Sequence, residues 1–254
     1  SWAAGIGARA AAVMEELIVP ALADLGQTVR EIDGRSNSDA GVVNMPGGDA
    51  YYAAVLRHFL SIDMTPEEVH ELGLAQVARV ADELTLVLDE LGYDASTNLA
   101  LAMRQSAADA GSMPTTNGSE REAVLQRTLD TVSGAEVAFA DLFTVKPTTA
   151  LDVVRPRPGR EGGSGAYYRS PPLDGSRNGL YYLSLGGSEF RTLTMDTTTY
   201  HEAIPGHHLQ LALQQELGDM PNFRRFMGFT AFVEGWGLYS ESLGPDLGLY
   251  KDPY

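Results

Sequence analysis

Through the stretch "TPEEVHELGLAQVARVADELTLVLDELG", apolar residues recur at three-, four- and five-residue steps: Val69, Leu72, Val77, Val80, Leu84, Val87 and Leu91. That spacing puts them on one face of an α-helix, because a turn takes about 3.6 residues. Thr65 is the expected N-cap, Pro66 the first helical residue, Glu68 the closing member of a capping box, and Gly92 the terminator. The stretch predicts an amphipathic helix of about seven turns. Helical patterning also covers Trp2 to Ile32, with a break or kink expected at Pro20. "NMPGGDAYYAAVLRHFLSID" predicts a turn, Asp49 as N-cap, and a short helix rich in aromatic residues. Two more helices are predicted, Thr97 to Asp109 and Ser119 to Phe143, separated by the loop "GSMPTTNGS". The acidic pairs Glu67–Glu68 and Glu120–Glu122 fall at helix starts, where the helix dipole favours them.

The pattern changes at Lys146, where Gly and Pro become dense and only short extended pieces remain, Leu151–Val154 and Leu180–Leu185. "LYYLSL" is built of large residues, as in a strand packed on both faces or lining a cleft. These pieces predict a small antiparallel sheet. "GGSGAY", Gly162 to Tyr167, lacks the Gly-Lys-Ser/Thr ending of a phosphate loop and reads as a flexible loop. Helical patterning resumes with "TYHEAIPGHHLQ", breaks at "GDMPN", and ends with "FTAFVEGWGLYSESLG". The expected class is mainly α (α+β): a helical part over 1–145, a Gly/Pro-rich β part over 146–195, and helices over 196–254, within one domain. The first residue is not Met and the chain stops at "YKDPY", so a piece of a longer protein is expected.

Composition narrows the chemistry. A net charge of −16 argues against nucleic acid or an anionic membrane surface as partner. No apolar run approaches the length of a membrane span, so no membrane insertion is expected. There is no cysteine, so a transition metal would have to be held by His and carboxylates. Of five histidines, three lie within eight residues: His201, His207 and His208. His58 and His70 sit in helical patterns and read as structural or solvated.

The His-rich segment opens like a zinc-peptidase helix, with Glu202 after His201, but Pro205 stands where H-E-x-x-H has its second His. On a regular helix His207 would be rotated about 240° from His201, and His208 would share its face about 10 Å further along. Pro205 and Gly206 permit a bulge or break that alters this. His207 is favoured as the second ligand, with His208 as the alternative. Glu234 lies among large apolar residues in "FVEGWGLYSESL". A carboxylate in such surroundings needs a partner, and a cation is one answer. The chemistry this set suggests is water activated by Zn2+, with His201, one of the two later histidines and Glu234 as ligands and Glu202 as base.

"YHEAIPGHHLQ" followed by "FVEGWGLYSESL", with "MPGGDAYYAAVLRHFLSIDMTPEEVHELGLAQVARV" and "YYRSPPLDGSRNGLYYLSL" upstream, resembles a bacterial family of uncharacterised proteins, a domain of unknown function regarded as zinc peptidases. The resemblance spans most of the chain. It implies a helical gluzincin-like arrangement, distantly similar to the angiotensin-converting and carboxypeptidase-like zinc enzymes, in which a strand before the metal helix binds substrate. "LYYLSL" would play that part, with Tyr181 and Tyr182 binding substrate, and Tyr181, Tyr182 and Tyr239 are the nearby candidates to stabilise the oxyanion. Members of the family are longer, and their relatives draw an oxyanion-stabilising Tyr, His or Arg from a later segment, so a metal site without the full catalytic apparatus is expected here. The leading expectation is a zinc peptidase acting on a peptide or small amide. The alternatives are a non-catalytic domain with a structural His/Glu site and a metal hydrolase of a non-peptide amide or ester.

Overall fold

The computed structural model describes residues 2–251 apart from 37, 39, 158 and 162–164. The chain divides into two units, Ser1–Tyr52 and Ala53–Tyr254. In the first, α1 (Trp2–Val13) runs through a π-helical turn, Met14–Ile18, into α2 (Val19–Asp33). Pro20 sits in the first turn of α2, and the Val19 N–H reaches back five residues to the Met14 carbonyl. Proline has no N–H to donate and its ring crowds the carbonyl four residues back; a widened turn just ahead of it accommodates both. The break expected at Pro20 is therefore a π-turn within continuing helix. α3 (Gly48–Leu60) starts one residue before Asp49, which lies inside the first turn and is not the cap.

In the second unit α4 (Pro66–Glu90) starts as the sequence predicts. Glu68 donates its N–H to Thr65 Oγ1 at 3.1 Å, and Thr65 donates its N–H to Glu68 Oε2 at 2.8 Å. Its apolar stripe is used only in part. Val69, Leu84 and Leu91 are half-buried and Leu72, Val77, Val80 and Val87 stay exposed, while the buried residue, Leu88, lies beside the stripe and packs with Ala95 and Ala102 of α5 (Ala95–Asp109). At 15 residues against 25, α5 turns back along the later part of α4 and covers little else. The loop expected between α5 and the next helix contains a short strand, β1 (Ser112–Pro114). α6 (Gly118–Ala138) opens with a second capping box, Asn117 with Glu120, and ends before Phe143. Its buried residues Val124, Thr128, Val132 and Ala135 follow the helical period along one face.

β2 (Leu151–Val154), β3 (Ala166–Arg169) and β4 (Gly179–Leu183) form a sheet in the order β2-β4-β3. β4 runs antiparallel to β3 and parallel to β2, so this sheet is mixed. Antiparallel pairing recurs between β1 and β5 (Glu189–Arg191). Of the loop expected over Gly162 to Tyr167, residues 162–164 lie outside the described residues and the last two belong to β3. Tyr181, Leu183 and Leu185 pack on Val124 and Val132 of α6 and on Met195 and Ala203, forming the main core. Met195 opens α7 (Met195–Glu202), which is followed by α8 (His207–Glu216), α9 (Asn222–Phe226) and α10 (Thr230–Ser242). A second cluster, Ala135, Phe139 and Tyr200 with Leu243, Leu247 and Tyr250 beside it, fixes the other flank of α7. Among the described residues no helix is long and apolar enough to cross a membrane.

Candidate metal centre

α7 and α8 meet at a break that the sequence "AIPG" makes. Ala203 leaves the helical region at φ −103°, ψ −107°, the Ile204–Pro205 peptide is cis, and Gly206 takes φ −77°, ψ −131°. A Cβ on Gly206 would lie 1.9 Å from the His201 carbonyl oxygen and 2.3 Å from that of Tyr200, so only glycine fits. Helical bonding resumes with the His208 N–H donating to Ala203 O and that of Gln210 to Gly206 O, both at 3.1 Å. The two halves are tied to α10 from outside the site. Trp236 Nε1 donates to the Pro205 carbonyl at 2.8 Å, and Gln210 Nε2 donates to the Phe232 carbonyl at 3.0 Å.

The break brings His207 beside His201, with ring centroids 4.5 Å apart and planes at 83°. His208 faces the other way. Its Nδ1 lies 3.1 Å from the Tyr168 hydroxyl, and burial pulls its pKa down to about 4 against an opposing hydrogen bond with the Thr149 backbone. α10 supplies the third group. Glu234 Oε2 stands 3.3 Å from His201 Nε2 and 3.7 Å from His207 Nε2. A charge-assisted hydrogen bond would be about 2.7–2.9 Å. Two atoms bound to one tetrahedral zinc at about 2.0–2.1 Å are separated by about 3.3–3.4 Å. The observed spacing suits shared coordination better than direct pairing. The three ligand atoms lie within 4.8 Å of one another, and this group could hold a metal ion.

Around it, Glu202 is buried and its Oε2 has no hydrogen-bond partner among the described residues. Burial raises the Glu202 pKa, with His201 and a backbone hydrogen bond from Tyr168 opposing. Burial likewise lowers the pKa of His207, whose Nδ1 is also unpartnered. Two neighbours escaped the sequence reading. Glu241 Oε1 accepts from His201 Nδ1 at 2.8 Å, and its place seven residues after Glu234, on the same helix face, was the available signal. Tyr168 gave no local signal, since a strand reaches this helix only through the fold.

Of the tyrosines expected to bind substrate, Tyr181 lies buried against α7, close enough to Glu202 to feel its charge. Tyr181 is 1% exposed, its hydroxyl 3.4 Å from Thr199 Oγ1, and Tyr182 stacks on Tyr167 at 4.7 Å. The first four residues of "LYYLSL" belong to the central strand β4, which pairs with β2 on one edge and β3 on the other. Tyr239 packs on Trp236 and is half exposed. His58 and His70 are exposed and far from the group in the chain.

Comparison with known proteins adds a family and a fold. The family described as "Bacterial protein of unknown function (DUF885)" matches residues 2–254. No curated protein gives a significant match. Among solved structures, the crystal structure of a protein described as the "putative lipoprotein from Colwellia psychrerythraea" is similar over 95% of this chain, with 28% identity and a TM-score of 0.85. The chain spans 42% of the length of that protein.

Proposed function

The chain belongs to the bacterial DUF885 family, and we propose that it is a zinc-dependent hydrolase of peptide bonds. One observation carries this reading: a His201–His207–Glu234 group of coordinating geometry stands next to Glu202, a buried carboxylate with an unpartnered oxygen. Two His and one Glu are a frequent catalytic donor set, which leaves a fourth position for water. Bound zinc would lower the pKa of that water and polarise a scissile carbonyl. Glu202, adjacent in sequence to one ligand but outside the group, would take the proton and return it to the leaving amine.

The substrate's backbone would lie along β3. Gly165 and Ser184 form a hydrogen-bonded pair, so by the alternation of an antiparallel ladder Ala166 and Tyr168 direct their N–H and C=O groups away from β4. An extended peptide on this edge would run beside Glu202 and the three ligands. A structural site closed by His208 is disfavoured, because the Nδ1 of that ring faces the Tyr168 hydroxyl at 3.1 Å.

The test is metal content of the purified chain by elemental analysis, with His201→Ala alongside. About one zinc per chain, absent from the variant, is expected. No zinc after dialysis against it overturns the reading. With zinc bound, Glu202→Gln should retain the metal and lose about 10²–10⁴-fold in peptide hydrolysis; undiminished turnover removes Glu202 as base.

A further inference from the structure

Glu234, Gly237 and Glu241 follow one another on α10 at steps of three and four residues, and so share one face of the helix. All three meet the His201 ring. Glu234 Oε2 lies 3.3 Å from Nε2, and Glu241 Oε1 lies 2.8 Å from Nδ1. Between them the ring lies across Gly237, where a Cβ would come within 2.5 Å of Cε1 and 2.8 Å of Nδ1. One helix face thus holds both nitrogens of the ring and leaves a slot for its edge.

This arrangement determines which nitrogen is free. A carboxylate only accepts, so the Nδ1 beside Glu241 carries a hydrogen, and in the neutral ring the lone pair is then on Nε2. That lone pair faces Glu234 Oε2, which also lies 3.7 Å from His207 Nε2, so the ligand atoms of the group gather around one point. Among the described residues His207 has no such helper: its Nδ1 is buried without a partner. We infer that Glu241 is a positioning residue, which with the Gly237 slot fixes the ring and tautomer of His201 and so sets the affinity of the group for a divalent cation. This rests on the metal reading above.

Zinc affinity, measured by competition with a chromophoric chelator, tests it on the purified chain and on E241Q, E241A and Gly237→Ala, with thermal unfolding of each metal-free protein. Glutamine keeps the size of glutamate but loses its charge and can turn an NH2 donor toward Nδ1, so a mere packing role leaves E241Q equal to wild type while the hold on the tautomer is lost. The positioning role predicts that E241Q weakens zinc binding about 10- to 100-fold, and E241A at least as much, at an unchanged unfolding temperature. Gly237→Ala should weaken zinc as well; if it fails to fold, E241Q alone carries the test. Wild-type protein that binds zinc while E241Q binds it equally overturns the positioning role and leaves the metal reading standing. Wild-type protein that binds no zinc overturns both.

Discussion

Replacing Gly206 by alanine should be among the most damaging single-methyl changes in this protein. The added Cβ would meet two backbone oxygens, those of His201 and Tyr200, at 1.9 and 2.3 Å, and the His201 carbonyl carbon at 2.5 Å. None of these atoms can rotate aside, because they form the last turn of α7. Overpacking commonly costs about 1–3 kcal/mol, and a clash against fixed backbone puts this one at about 3 kcal/mol or more. At a urea slope of about 2 kcal/mol per M, the unfolding midpoint falls by about 1.5 M. Gly134→Ala is the control. Gly134 lies inside α6 with nothing within 4 Å of an added Cβ, so the same methyl should stabilise by about 0.5–1 kcal/mol. Urea unfolding followed by circular dichroism reads both. If Gly206→Ala stays within about 0.5 kcal/mol of wild type, the break between the two helices does not have the geometry described.

His207→Ala should abolish zinc binding, whereas His208→Ala should keep it, since the His208 ring faces Tyr168; elemental analysis of the pair decides, and the reverse result would reassign the second ligand. Trp236→Phe removes the donor to the buried Pro205 carbonyl and should cost about 1–3 kcal/mol in urea unfolding; no loss would mean that the indole does not hold the break. Glu216 accepts from the backbone N–H groups of Thr148 and Thr149 at 2.9 to 3.1 Å. Burial raises its pKa, but these bonds with those of the threonine hydroxyls outweigh it, and the net pKa lies below the ordinary 4.5. Its contribution to stability is therefore present above 4.5 and lost as pH falls through the lower folded value. The stability difference between wild type and Glu216→Gln should accordingly shrink on going from pH 7 to pH 3, and a constant difference would count against the assignment.

Much of the helical architecture was legible because it depends on neighbours in the chain. Thr65, Pro66 and Glu68 announced the start of α4, and the period of its apolar residues announced its course. Its burial was not legible: Val77 and Val80 repeat correctly, yet only Leu88 is buried, because the neighbouring helix and not the period decides what covers a face. The three-residue strands β1 and β5 were missed, being too short to carry a pattern and paired across more than seventy residues. The parallel pairing of β2 with β4 is equally a matter of topology.

By itself the sequence determined the chemical repertoire of the site. With no cysteine and three clustered histidines, His and carboxylate were the donors available, and Pro205 with Gly206 marked where a regular helix must fail. What a failed helix does next depends on what packs against it. Trp236 on the Pro205 carbonyl, Gln210 on Phe232, and the close approach of Gly206 to α7 select the bend that puts His207, and not His208, beside His201. Glu241 and Tyr168 join the site for the same reason. A helix period reports which residues share a face, whereas only packing between distant segments decides which faces meet.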